Sequence, residues 1–314
     1  MKLSEDATGV FAISVTPFDE DGRVDDASTD SLVDFYIEEG VHGITVLGVM
    51  GEAPKLTAEE QLAFATRVID RVDGRVPVIV GVSNPGMDNL VALSEQVTDA
   101  GAAGVMIAGI PGLKNDEQVY GYFASVIGRL GDIPVCVQDY PPTTTVWMSI
   151  PVVNRLIDDF ETLVMFKHED CPGHRKLTAL RRAPDDGHRR VSIVVGNGGL
   201  YVPQELARGA DGIMTGLAFP KMLVEVHDRF AAGQKEAAED LYDAHLPLIR
   251  HEQQIGFGLA VRKEVLVRRG AIACGLARAP GPSMDADDLI ELDDLIGRLG
   301  RRLAEMGRAL PAGL

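Results

Sequence analysis

Apolar residues fall into two alternating arrangements along this chain. Short, mostly apolar runs occur at Val10–Thr16, Gly43–Gly48, Val76–Val82, Gly104–Ile110, Pro134–Asp139, Leu163–Lys167, Ser192–Asn197 and Gly212–Gly216. Continuous runs of this kind, rather than strict alternation, are what parallel strands covered on both faces produce. Between them, apolar positions recur at helical spacing, as in Thr57–Val72, Asp88–Ala100, Glu117–Leu130 and Pro203–Arg208. Thr57-Ala58-Glu59-Glu60 sets an acid three positions after a threonine cap, the capping-box signature of a helix start. Gly74-Arg75-Val76-Pro77-Val78 and Gly131-Asp132-Ile133-Pro134-Val135 repeat one form of helix-to-strand turn. Eight strand–helix units predict a (β/α)8 TIM barrel over residues 1–232. A doubly wound open sheet is the competing fold, but no Gly-x-Gly-x-x-Gly follows the first run. Beyond Gly233 the pattern is helical only, over Gln234–Gln253, Gly258–Arg269 and Asp285–Ala309, interrupted by Ala279-Pro280-Gly281-Pro282. Residues 233–314 are expected to form a C-terminal helical extension and not an independent fold.

One position breaks the apolar pattern. Leu163-Val164-Met165-Phe166 runs directly into Lys167, followed by His168-Glu169-Asp170. A lysine at the end of a buried strand is costly unless it is paired, kept neutral or used. Desolvation lowers an amine's pKa, and a neutral amine attacks ketones to form Schiff bases. The seven other lysines occupy polar or helical surroundings in the sequence. In a barrel the active site lies at the carboxyl ends of the strands, where Lys167 falls. By alternation Lys167 shares a face with Met165 and Glu169, and His168 points away. An ion-paired surface lysine would leave the same trace in the sequence.

Composition narrows the function classes. A net charge of −17 argues against a nucleic-acid partner, since no basic face is offered to phosphates. The first residues, Met1-Lys2-Leu3-Ser4-Glu5-Asp6, have no apolar core of the kind a signal peptide carries, and no run reaches membrane-spanning length. Cys136, Cys171 and Cys274 lack metal-type spacing and read as reduced thiols of a cytoplasmic protein. A metal site built from His168, Glu169, Asp170 and His174 is disfavoured, because neighbours on a strand cannot all face one ion.

Three segments in order resemble a known group, the pyruvate-dependent class I aldolase and dehydratase superfamily that includes dihydrodipicolinate synthase and N-acetylneuraminate lyase. Val15-Thr16-Pro17-Phe18 resembles its first-strand signature, Gly48-Val49-Met50-Gly51-Glu52 its Gly-Thr-Thr-Gly-Glu loop, and Phe166-Lys167 its Schiff-base strand. Four further segments resemble the L-2-keto-3-deoxyarabonate dehydratase branch. These are Gln138-Asp139-x-Pro141, Lys167-x-Glu169 with Pro172-Gly173, Met214-Thr215-Gly216 with Phe219-Pro220, and Leu246-Pro247-Leu248-Ile249. The departures count against dihydrodipicolinate synthase itself. Val49 and Met50 replace the two threonines, Gln138 replaces the relay tyrosine, and Pro142–Thr144 holds no semialdehyde-binding arginine.

The resemblance implies a lyase that forms a lysine imine with a small 2-oxo acid, without a metal or other cofactor, and assembles as a homotetramer. Lys167 would be the Schiff-base lysine. Glu169 would act as acid/base or merely orient the lysine. Gln138 could bind substrate oxygens, and Tyr140 could replace the missing phenol or pack in its loop. Val49, Met50 and Gly51 could offer backbone amides to a carboxylate. Thr143 with Thr144 and Thr145, Asn197, Thr215 and Gly216 are further candidates for substrate contact. Dehydration of a 2-keto-3-deoxy sugar acid, aldol chemistry with pyruvate, and a non-catalytic 2-oxo-acid binding protein all remain open.

Overall fold

Eight parallel strands close on themselves in chain order in a computed structural model describing residues Met1–Leu314. The strands are β1 (Gly9–Ile13), β2 (Gly43–Val46), β3 (Val78–Gly81), β4 (Gly104–Ala108), β5 (Val135–Asp139), β6 (Leu163–His168), β7 (Ser192–Val195) and β8 (Gly212–Thr215). β1 pairs with both β2 and β8, so no edge is left open. The predicted (β/α)8 barrel is the observed fold.

The outer helices are α1 (Asp26–Glu38), α2 (Ala58–Val72), α3 (Met87–Asp99), α4 (Asp116–Leu130), α5 (Pro141–Thr144), α6 (Ile150–Asp159), α7 (His174–Arg182), α8 (Val202–Ala207) and α9 (Pro220–Ala231). Beyond them follow α10 (Lys235–Glu252), α11 (Gly258–Arg268) and α12 (Ala286–Glu305). Side chains satisfy several free helix starts. Asn115 caps α4, Ser149 caps α6, and the Thr57–Glu60 box opens α2 as expected.

Several strands end earlier than the apolar runs suggest, each for a backbone reason. β2 stops at Val46 because Leu47 turns to a left-handed φ of 55°. β7 stops at Val195 because Asn197 does the same, with φ 49°. β5 stops at Asp139, and Tyr140 becomes the residue before a proline-started turn of helix, α5. Tyr140 therefore does not continue the strand face, the condition under which alternation would have set it beside Gln138.

Inside the barrel, Phe11, Ile13, Ile79, Met106, Cys136, Met165, Val194 and Met214 pack as one apolar plug. Met165 belongs to this plug and Lys167 stands one inward position further toward the carboxyl end. Between the barrel and its helices lies a second core. It runs without a break from Val10 and Ile44 in the strands to Leu241 in α10, Val261 in α11 and Leu292 in α12.

Candidate active site

The polar layer above the apolar plug is built by β5, β6 and the turn after β7. Gln138 and Lys167 are direct partners in the β5–β6 register, so both side chains point inward. Lys167 Nζ lies 2.9 Å from Glu169 Oε2, and Gln138 Nε2 donates to that same oxygen at 2.6 Å. The second oxygen, Oε1, accepts from the Asn197 main-chain N–H at 3.1 Å. Three donors thus fix one carboxylate against one amine. Gly196 makes room for it, because a Cβ there would stand 2.1 Å from Glu169 Oε1. Lys167, Glu169 and Gln138 are all at least nine-tenths buried. A buried pair of this kind is worth little to stability in itself, which makes its position at the barrel mouth the more informative fact.

A cavity of about 50 Å³ opens above the pair. Of the residues expected from the sequence, Lys167, Glu169, Gln138, Tyr140, Val49, Met50, Thr215 and Gly216 all line it. Burial and the Glu169 charge push the Tyr140 phenol's pKa up, with the Thr143 hydroxyl acting in the opposite direction. Thr143 itself is exposed and outside the lining. Asn197 takes part through its backbone and not its side chain. Gly51 is also outside the lining. Its N–H donates to Gly48 O, so the loop amides left for an anion are those of Val49 and Met50. Larger cavities lie elsewhere, between α9 and the chain's last residues and around Cys171 and Tyr201, and neither holds Lys167.

The loop after β2 is held by charge. Glu52 accepts from Lys55 at 2.8 Å and from Lys263 at 2.7 Å, and the Lys263 ammonium also reaches Thr16 O and Leu276 O. His168 turns away from the cavity, its Nε2 lying 3.0 Å from Gly173 O. No three His, Cys, Asp or Glu side chains are grouped so as to hold a metal ion.

Sequence reasoning missed what the C-terminal helices contribute. Arg262 and Gln253 line the cavity, and Lys263 is completely buried beside it. Lys176 is buried too, on Asp139 at 2.5 Å. Lys167 is therefore one of three buried lysines, not a solitary one. The available signal was Arg262-Lys263-Glu264 inside the apolar stretch Leu259–Leu266. Two buried carboxylates flank the site. Glu252, 3.4 Å from Arg262 Nε, is pushed up to about 7 by burial, with the Arg262 charge opposing. Glu205 is pushed up to about 8 by burial and by the charge of Glu169.

A model of the dihydrodipicolinate synthetase family matches residues 6–298. The chain belongs to this family. L-2-keto-3-deoxyarabonate dehydratase of Azospirillum brasilense is 30% identical over 302 residues, covering 93% of this chain and 94% of that protein. A 4-hydroxy-tetrahydrodipicolinate synthase of Oceanobacillus iheyensis is 32% identical over 245 residues, covering 77% and 80%. The crystal structure of dihydrodipicolinate synthase from Rhodopseudomonas palustris is 50% identical and superposes with a TM-score of 0.93 over 95% of this chain and 99% of that one. A dehydratase and a synthase are thus similar to this chain at 30% and 32% identity, and a structure described as a dihydrodipicolinate synthase at 50%. The family gives the class, a lyase, and the substrate has to be argued from the site.

Proposed function

We propose that this protein is a lysine-imine lyase that dehydrates a 2-keto-3-deoxy sugar acid. The observation that carries the reading is the buried Lys167–Glu169 pair, 2.9 Å apart at the mouth of the barrel. Glu169 takes a proton from the Lys167 ammonium, and the free amine attacks the C2 ketone of the substrate. Glu169 returns that proton to the carbinolamine hydroxyl, which leaves as water, and a protonated imine between Nζ and C2 results. That imine draws electrons from C3, so a C3 proton passes to a base and an enamine forms. Glu169 is the group placed to be that base, held in orientation by Gln138 and the Asn197 amide. The enamine pair then expels the C4 hydroxyl, which takes up the proton Glu169 removed from C3 and leaves as water. Hydrolysis of the remaining imine restores Lys167. Tyr140 lines the cavity with its phenol held protonated by burial, and supplies a hydrogen bond to the departing oxygen.

Dehydration is preferred over the synthase reaction because Val49 and Met50 provide no hydroxyl and Gln138 no phenol for the proton relay that resemblance to the synthases would require. The likeness to the Rhodopseudomonas palustris structure favours a second reading, aldol chemistry with pyruvate through the same enamine. Borohydride trapping with pyruvate and a panel of 2-keto-3-deoxy sugar acids, followed by intact mass and peptide mapping, separates these. With the sugar acid, the expected adduct on Lys167 is lighter by one further water than the reduced imine of the intact substrate. A reduced imine that has lost no further water, with turnover only when pyruvate meets an aldehyde, would favour the aldolase. An adduct without release of product would favour a non-catalytic 2-oxo-acid binding protein, and absence of any adduct would overturn the imine mechanism. Assembly as a homotetramer is proposed from the same resemblance and is checked by light scattering.

A further inference from the structure

The end of α10 supplies the cavity with an amide that the mechanism above leaves idle. Gln253 follows the last turn of α10, is half-buried, and lines the same space as Lys167, Glu169 and Gly198. Its main-chain N–H closes the helix on Arg250 O at 3.3 Å, and its side chain bonds to no protein group. Two other glutamines behave differently. Gln254 turns its amide back to His251 O at 3.1 Å, and Gln138 on β5 is committed to Glu169. A glutamine side chain carries two N–H donors and one carbonyl acceptor. Facing a cavity with no protein partner, those groups can meet a ligand without breaking any bond of the fold.

The backbone makes a place for this amide. A Cβ on Gly198 would fall on Gln253 Oε1 and Cδ, so the side chain lies against main chain that only glycine leaves bare. Gly198 also has φ 61°, in the left-handed region that glycine adopts without strain. The same turn holds the base. Asn197, one residue earlier, gives its N–H to Glu169 Oε1, and Gly196 clears room for that carboxylate. The three residues after β7 thus seat both the Glu169 carboxylate and the Gln253 amide. Lys167 takes C2 of the chain and Tyr140 the departing C4 oxygen, so an uncharged donor–acceptor group is left for what lies beyond C4. A carboxamide matches a hydroxyl, which both donates and accepts, and has no bond to offer a methyl group.

Resting on the sugar-acid reading above, we propose that Gln253 binds the C5 hydroxyl of the substrate and makes the site select hydroxylated chains over chains deoxygenated at C5. Gly198 is the positioning residue, acting through the amide it seats. The contact concerns the far end of the substrate and leaves imine formation at C2 to Lys167.

A matched pair of substrates tests this, 2-keto-3-deoxypentonate and 4-hydroxy-2-oxopentanoate of the same C4 configuration. Both carry the C4 hydroxyl that leaves, and they differ only in the hydroxyl on C5. Wild type should favour the hydroxylated acid in kcat/KM by about 10- to 100-fold, the range for a polar group left unpaired away from water. Gln253→Leu should bring that ratio below about 3-fold by slowing the sugar acid alone. Pyruvate, which ends at C3, should still be trapped on Lys167, with half-saturation within about 3-fold of wild type. A ratio that survives the substitution overturns the assignment. So does an equal loss with both acids and pyruvate in a variant whose circular dichroism stays native. If Gln253→Leu does not fold, Gly198→Ala decides, because it displaces the amide and keeps the glutamine. Loss of the ratio there supports the proposal and its retention refutes it. Should wild type give no borohydride adduct at all, calorimetric binding of the two acids to wild type and Gln253→Leu is read instead. A preference that depends on Gln253 would then keep the hydroxyl contact while the imine reading falls, and equal binding would end both.

Discussion

At the scale of single residues, the site depends on what surrounds one carboxylate. Glu169 accepts from an ammonium, an amide side chain and a backbone N–H, so its rotamer is fixed before substrate arrives. Glu169→Gln keeps the shape but accepts no proton. It should lower kcat by about 10²- to 10⁴-fold, the usual worth of a general base, while leaving the Lys167 adduct detectable at long times. Unchanged turnover in single-substrate kinetics would reduce Glu169 to an orienting partner. Near enough for the Glu169 charge to act on it, Glu205 has the opposite problem. It is 2% exposed, with Oε2 unpaired, and its pKa is raised from 4.5 to about 8. The folded state keeps this proton where the unfolded state has lost it. Its stabilising effect is therefore full below the unfolded value and is lost as pH climbs from about 4.5 through about 8. Glu205→Gln should gain on wild type in melting temperature between about pH 5 and about pH 9, with a ceiling of roughly 5 kcal/mol. Parallel curves would mean that Glu205 finds a partner and ionises normally. Lys167 could be singled out in the sequence because a strand buried on both faces leaves no place for a charge. Arg262 could not, because a charge in a helix reads by default as a solvent-facing position.

At the scale of elements, α11 shows why that default fails. Ala260, Val261, Arg262, Lys263, Val265 and Leu266 are all buried, so charged residues occur on buried faces as well as at the half-buried Glu264–Arg268 pair, and periodicity reports no single polar face. Its consecutive charges reach two different destinations. Arg262 enters the cavity, and Lys263 locks the loop after β2 through Glu52 and Thr16. Replacing Lys263 by Met should cost about 3 kcal/mol, toward the lower end for breaking a buried ion pair, because Lys55 still holds Glu52. Urea denaturation reads that cost, and a loss under about 1 kcal/mol would show that Lys55 alone secures the loop. Strand ends were less legible than strands for a related reason. The apolar run continues through Leu47, whose left-handed backbone leaves no compositional mark, whereas Asn197-Gly198-Gly199 carries the turn signal that ends β7.

At the scale of the molecule, the barrel and the helices that follow it share one core, and this decides how separable they are. The eight-strand repeat was readable because each unit repeats the same alternation of apolar run and amphipathic segment. The way α10–α12 close over the barrel was not, since packing between distant segments has no period. Val10 of β1, Ile44 of β2, Leu241 of α10, Val261 of α11 and Leu292 of α12 lie in one uninterrupted apolar cluster. A chain cut after residue 232 would expose the barrel-side half of that cluster and remove Arg262 and Lys263 from the mouth. Each large apolar side chain returned to water costs about 1.5–3 kcal/mol, and a native domain is stable by only about 5–15 kcal/mol. Exposure of even a handful is enough to remove the folded state. The 1–232 fragment should therefore be insoluble or non-cooperative in thermal unfolding followed by circular dichroism, although it contains every strand, Lys167 and Glu169. A soluble fragment with a cooperative transition would show instead that the barrel folds on its own and that the helical extension is a lid on the site. Borohydride trapping on such a fragment would then show whether the Lys167–Glu169 pair forms its imine without the guanidinium from α11.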